Sequence, residues 1–355
     1  MSEKMMNALR LNAVNDLEYC QVPIPAPGPS EVICRVESVS ICGTDPHIIN
    51  GDFRGMWPKE FPIILGHEWS GVIVELGEKA GDFGWKAGDR VCALSHVGCG
   101  QCKMCLEGRY TLCLNYGKSE LGHRQYGHYS QGAYAQYMCA SVKAIEKIPD
   151  EMDFNVASCM DPLSIALHMV MRSGIKPGDS VLINGAGAQG LMSILCVKSM
   201  GAGLIMISGS GTRLEAAKKM GAVPIDYRKE DVAARVKELT NGLGAKRVIE
   251  CSGTEVGIRQ ACDAVGKGGC ISMVSLPKED VKIPIRKIVL DEIDLVGNRA
   301  NPNTLAKSIP IGMNFIKEIR ALITHEFPLS KYEEAFDIFN GRKDNSLKVV
   351  LKPQL

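Results

Sequence analysis

Residues 180–200 read SVLINGAGAQGLMSILCVKSM: a short apolar strand, a glycine-rich turn and a helical run. The turn is G-x-G-x-x-G, with Gly185, Gly187 and Gly190 at its fixed places and Gln189 beside the last. Between a strand and a helix, that spacing suits a dinucleotide loop. Gly185 permits the tight turn, Gly187 lets the backbone approach a pyrophosphate, and Gly190 lets the helix lie close to the strand. The phosphates then meet free N–H groups at the positive end of the helix. Taken bare, the motif is equally compatible with a structural turn.

Its surroundings favour the nucleotide. A helix, LSIALHMVMRSG, runs from Pro162 and stops at Gly174. Beyond the loop, strands LIMIS, VPIDY, RVIEC and GCISMVS alternate with helices TRLEAAKKMGA, EDVAARVKELTNG and EVGIRQACDAV. This alternation predicts βαβ units in a doubly wound parallel sheet, an α/β fold. Earlier, from about 30 to 150, EVICRVESVSIC, SGVIVELG and DRVCAL mix β-branched and polar residues between turn signals, which predicts a β-rich domain. After about 300 the chain ends in helix KYEEAFDIFNGR and strand LKVVLK. A length of 355 residues agrees with two domains.

Composition narrows the function classes. Lys and Arg number 41 against 40 Asp and Glu, so no basic face for nucleic acid or anionic lipid is implied. The longest apolar stretch, Leu191–Ile207, is broken by Lys198, Gly201 and Gly203, too short for a membrane span. The N-terminus shows no charged-then-apolar leader, so a soluble, cytoplasmic protein is expected. There are 14 cysteines, and in a reducing compartment they favour metal binding over disulfides.

Four of them, Cys99, Cys102, Cys105 and Cys113, cluster in the lobe at about 98–114. Two-residue gaps turn successive sulfurs toward one centre, and four thiolates close a tetrahedral zinc shell with no place for water. An iron–sulfur cluster or free thiols are the alternatives. Elsewhere, Cys42-Gly-Thr-Asp and Gly66-His67-Glu68 offer a thiolate, an imidazole and a carboxylate, but spacing alone does not join them. As to the nucleotide, strand LIMI ends in Ser208-Gly209-Ser210-Gly211-Thr212-Arg213, without the acid that binds a ribose 2′-OH. Small hydroxyls and Arg213 suit a 2′-phosphate and favour NADP over NAD, while Tyr227 and Arg228, at the end of the next strand, would flank the adenine ribose.

Cys42-Gly-Thr-Asp-x-His47, Gly66-His67-Glu68, the cysteine lobe, Asp161-Pro162 and the Gly185–Gly190 loop occur in this order along the chain. The chain resembles the zinc-dependent medium-chain alcohol/polyol dehydrogenase family, which includes sorbitol, threonine and butanediol dehydrogenases. The resemblance implies a GroES-like catalytic domain (1–160 and 301–355), a Rossmann coenzyme domain (161–300), and an active site in the cleft between them.

It further implies two zinc ions per chain. The catalytic one would be held by Cys42, His67 and a carboxylate, with Asp161 at the third-ligand position, Glu68 able to replace it, and Cys159 as runner-up. Hydride would pass between a zinc-bound alkoxide of a secondary alcohol or polyol and NAD(P). Thr44 would take the alcohol proton and His47 pass it to solvent, while Asp45 would orient His67. Lys348 matches a basic position near the family's cleft, and Arg299 a substrate-facing one.

Trp57, Phe53 and Trp69 flank the zinc motifs as pocket wall or core, and segment 120–131, crowded with His and Tyr, reads as cleft mouth, or as solvated loop or subunit contact. A homo-oligomer, dimer or tetramer, is expected through the edge of the coenzyme sheet. The alternatives are a threonine-type dehydrogenase, a zinc-free quinone reductase, and a non-enzymatic nucleotide-binding protein.

Overall fold

Runs such as Val181-Leu-Ile183, Ile205-Met-Ile207 and Val248-Ile249 are apolar on both faces, the pattern of strands covered by helices on either side. In the computed structural model, which describes residues 4–53, 55–277 and 279–355, they form the middle of a parallel sheet. Its strand order is Val223–Asp226, Leu204–Gly209, Ser180–Asn184, Ala245–Glu250, Val265–Met273, Asp294–Gly297. Leu182, Met206, Ile225, Val248 and Ile271 pack with Val232, Val236 and Ala261 from the helices into one buried core. Each such large side chain contributes about 1.5–3 kcal/mol by leaving water. Asp231 and Thr254 cap two of the helices by accepting the N–H groups of Ala234 and Gly257.

Contacts divide the chain into two units: residues up to Asp161 together with Ile319–Leu355, and Pro162–Glu318. The second unit thus runs past the 300 read from the sequence. Helix Leu305–Asn314 packs on helix Ala188–Ser199, and Thr304 Oγ1 donates to the Ser164 carbonyl at 2.9 Å. The Lys198 ammonium also lies 5.3 Å over the Phe315 ring. In the first unit a seven-stranded sheet is built around Glu31–Ser40, which pairs antiparallel with Glu68–Leu76, Tyr137–Ser141 and the C-terminal strand Lys348–Lys352. A smaller sheet joins Asp16–Pro23, Met5–Ala13 and Ile63–Ile64. The opening hairpin, Met5–Ala13 with Asp16–Pro23, lies outside the β-rich region read from the sequence. Among the described residues, no helix is long and apolar enough to cross a membrane.

One histidine of the second unit predicts a pH effect. Burial pushes His168 down to about 4, and Arg172, one turn on, adds repulsion. An unfolded histidine titrates near 6.5. As pH falls, the unfolded chain therefore binds this proton first. The stabilisation is fully present above pH ~6.5 and is lost as pH falls toward the folded value. His168→Gln should flatten the pH dependence of the unfolding midpoint across that window. An unchanged slope would mean that the ring titrates as in the unfolded chain.

Candidate active site

Register places the first constellation. Strands Glu31–Ser40 and Glu68–Leu76 pair antiparallel with Ser40 opposite Glu68, so the segments carrying Cys42 and His67 leave neighbouring strand ends side by side. Gly66 is held at φ +84, and a Cβ there would come within 2.6 Å of the Tyr134 ring, so only glycine admits this turn. One ligand atom each from Cys42, His67 and Glu68 lie within 4.8 Å of one another.

The donor set fits a divalent transition metal: one soft thiolate, one imidazole and one carboxylate. Three protein ligands are the pattern of a centre with a position left for substrate. The electrostatics agree. Burial acts to lower the His67 pKa, but the Cys42 sulfur and the Asp45 carboxylate hold it well above the usual value. Burial likewise acts to raise the Asp45 carboxyl, and His67, Tyr134 and the Cys42 N–H outweigh it. Asp45 Oδ2 accepts from the Cys42 N–H at 2.9 Å and the Tyr134 hydroxyl at 2.7 Å, while Oδ1 stands 3.6 Å from His67 Nδ1. The pocket favours positive charge.

Glu68 is doubly engaged, accepting from the Ser40 hydroxyl and from the Lys348 ammonium. Lys348 is 2% exposed and also donates to the Ile41 carbonyl at 3.1 Å. Burial acts to lower its pKa, but Glu68 holds the ammonium charged. Asp161 is buried in the first turn of helix Met160–Arg172 and is not among the three converging groups. Burial pushes the Cys159 thiol up to about 12.

Thr44 opens helix Thr44–Ile49, its hydroxyl 3.6 Å from the Cys42 sulfur. His47 is half-buried, with Nδ1 2.6 Å from Asp52. Rings form a chain from it: His47 to Phe53, Phe53 to Trp57, Trp57 to His128, and His128 to His67 at 4.6 Å between centroids. Trp57 and His128 are both buried. The sequence leaves His128 undecided, because a His in a loop carries no periodicity to mark it as buried. Trp69, the other tryptophan beside the zinc motifs, is fully buried. Arg299 follows strand Asp294–Gly297 in the other unit and is exposed.

The sulfurs of Cys99, Cys102, Cys105 and Cys113 also lie within 4.8 Å of one another. Cys99 and Cys105 are 3.9 Å apart, as are Cys102 and Cys113. The N–H groups of Cys99 and Leu114 point at Cys113 and Cys102, and the Asn115 amide points at Cys99, each at 3.4 Å. Burial acts to raise the Cys99 pKa, but the Gln101 N–H, the Asn115 amide and the Cys102 N–H bring it down to about 6. N–H groups aimed at sulfur favour thiolate, the form that binds metal.

At the coenzyme loop Gly185 takes φ +109, and a Cβ on Gly190 would stand 1.9 Å from the Gly185 carbonyl oxygen. Around Gly187 the space is open, with the Arg213 guanidinium at 4.0 Å from where a Cβ would be. Gln189 donates its side-chain amide to the Pro162 carbonyl at 3.2 Å. Ser208 is turned inward, its hydroxyl donating to Asn184. Ser210 and Tyr227 bring their hydroxyls to 3.4 Å at the strand ends, and Arg228 folds back onto Asp226.

Comparison with known proteins agrees with both halves. Residues 28–150 match the family model of the alcohol dehydrogenase GroES-like domain, and 188–314 that of the zinc-binding dehydrogenase. A sorbitol dehydrogenase of Bacillus subtilis is 32% identical over 98% of this chain and 97% of its own. An L-threonine 3-dehydrogenase of Bacillus velezensis is 33% identical over 94% of each. A solved zinc-binding dehydrogenase of Sinorhizobium meliloti 1021, bound to NADP, superposes with a TM-score of 0.89 at 29% identity, covering 99% of this chain and 100% of that one.

Proposed function

The chain belongs to the zinc-dependent medium-chain alcohol/polyol dehydrogenase family and is an NAD(P)-linked oxidoreductase, and from that premise we propose that Cys42, His67 and Glu68 hold its catalytic zinc. The convergence of these three side chains at neighbouring strand ends carries the reading. Held by these residues, zinc would supply Lewis-acid polarisation of a substrate hydroxyl, and a bound nicotinamide would supply the hydride acceptor. Thr44 Oγ1 takes the released proton, and His47, anchored through Nδ1 by Asp52, relays it to solvent. Asp45 keeps the His67 ring in place. Asp161 remains the alternative third ligand, and Trp57 and Arg299 are proposed substrate contacts.

The substrate class is a secondary alcohol or polyol, or the matching ketone. A hydroxy-amino-acid is the second reading, favoured by the L-threonine 3-dehydrogenase relative. A panel of polyols, simple secondary alcohols and L-threonine, assayed with both nucleotides, separates the two. Turnover with none of them would overturn both.

Four thiolates without an open position suit a second, structural zinc at Cys99, Cys102, Cys105 and Cys113. Metal analysis is expected to give two zinc per chain; a single zinc, or iron, would refute this. For the nucleotide we favour NADP, since Ser210 and Tyr227 meet at the strand ends, Arg213 lies beside the Gly187 turn, and Asp226, the carboxylate paired in register with Gly209, is engaged by Arg228. Gly185, Gly187, Gln189, Gly190 and Ser208 would line the pyrophosphate turn. A charged hydrogen bond contributes about 1.5–3 kcal/mol, so Arg213→Ala should weaken NADP binding by roughly 10-fold or more and leave NAD nearly unchanged. Equal losses for both would show that Arg213 does not read the phosphate.

Strand Asp294–Gly297 ends the parallel sheet, and Ile285, Val289 and Leu290 nearby expose apolar side chains, which supports a dimer or tetramer through this edge. Thiolate ligands of this kind suit the reducing cytoplasm.

A further inference from the structure

Glu250 ends strand Ala245–Glu250 and pairs in register with Asn184, the last residue of strand Ser180–Asn184. The order of strands reverses between these two, so the crevice beyond their carboxyl ends is the topological switch point of the sheet. One half of such a sheet takes the adenosine side of a dinucleotide and the other half, which Glu250 begins, takes the nicotinamide side. Glu250 is fully buried. It accepts the Ser252 N–H at 2.8 Å and the hydroxyls of Ser252 and Ser275. Every donor is neutral, and no Lys, Arg or His among the described residues pairs with it.

This sets Glu250 apart from two buried carboxylates of the other unit: Asp45 faces His67 and Glu68 faces Lys348. A buried charge without a counter-ion is costly unless something supplies the opposite charge. The loop it holds touches the coenzyme turn directly, since a Cβ on Gly185 would come within 2.9 Å of the Ser252 nitrogen. The neighbouring Cys251 thiol is pushed up first by burial and then by the charge of Glu250.

We propose that the buried Glu250 carboxylate, held by Ser252 and Ser275 at the switch point, is the counter-charge for the cationic ring of the oxidised nicotinamide. It is a positioning residue that discriminates between the two redox forms of the cofactor. The inference rests on the nicotinamide reading above. Oxidised and reduced dinucleotides share every group except the ring, which carries a positive charge only when oxidised. Their affinity ratio therefore isolates the effect of a charge near the ring from any general damage to the site.

The test is fluorescence titration of the metal-loaded protein with NADP+, NADPH and 2′-phospho-ADP-ribose, which lacks nicotinamide. A unit charge removed about 10 Å from another, with the effective screening of a protein site, corresponds to on the order of tenfold in affinity. Glu250→Gln should weaken NADP+ by about that factor relative to NADPH and leave 2′-phospho-ADP-ribose unchanged, while Glu250→Asp, which keeps the charge, should retain the wild-type ratio. Should Glu250→Gln not fold, Ser275→Lys leaves the carboxylate in place and sets an ammonium beside it. The same relative loss of NADP+ is expected. An unchanged ratio in the folded variant, or an equal loss for all three ligands, overturns the inference. Wild-type protein that binds none of these, nor NAD+ or NADH, would instead overturn the cofactor reading on which it stands.

Discussion

Cys42→Ser should remove one metal ion per chain and lower alcohol oxidation by about 1,000-fold or more, while dinucleotide binding stays close to wild type. A serine hydroxyl stays protonated at neutral pH and is a poor substitute for thiolate at a soft-ligand position. The remaining imidazole and carboxylate do not close a stable shell, because Glu68 is already drawn to Lys348 and Ser40. Losing the Lewis acid forfeits several kcal/mol of charge stabilisation, which is the stated factor in rate. The coenzyme loop belongs to the other unit and shares no residue with this centre, so its affinity for nucleotide is the internal control. A variant that keeps both metals and turns over normally would remove Cys42 from the mechanism.

Cys113→Ala is expected to act through stability. The lobe around it is built of short turns, Lys103–Leu106, Tyr110–Leu112 and Ser119–Leu121, with little core of its own. Leu106 and Leu114 are 74% and 66% exposed. Without apolar burial, the cross-link through four sulfurs must supply the ordering energy, and binding free energy at such a site is folding free energy. Loss of one ligand should release the second zinc and lower the thermal midpoint by on the order of 10 °C. Activity should fall with it, because Trp57 Nε1 donates to the Tyr116 hydroxyl at 2.9 Å and so ties the lobe to the ring chain leading to His67. Chelation of the wild type should reproduce the effect. A variant with two metals and an unshifted midpoint would show the lobe to be held by something else.

Much of this architecture is legible in the amino-acid sequence. Alternating apolar strands and helices, with Gly185, Gly187 and Gly190 between the first pair, gave the parallel sheet, because the periods of strand and helix are local properties of the chain. Cysteine spacing marked a lobe whose sulfurs the structure brings together. The opening hairpin and helix Leu305–Asn314 leave no comparable local signal. The first carries polar residues on its exposed face, and the second has Pro310 inside it, a signal that argues against a helix interior.

What the sequence by itself determined is therefore the order of elements, the coenzyme turn and the identity of the clustered thiols, all encoded within a few residues of one another. Only the tertiary structure brings Glu68 within reach of Cys42 and His67, sets His128 against that imidazole, and buries Glu250 with no cation among the described residues. Each depends on which side chains face one another across strands or loops far apart in the chain. Pairing register and close packing set that, and no local pattern of residues records it.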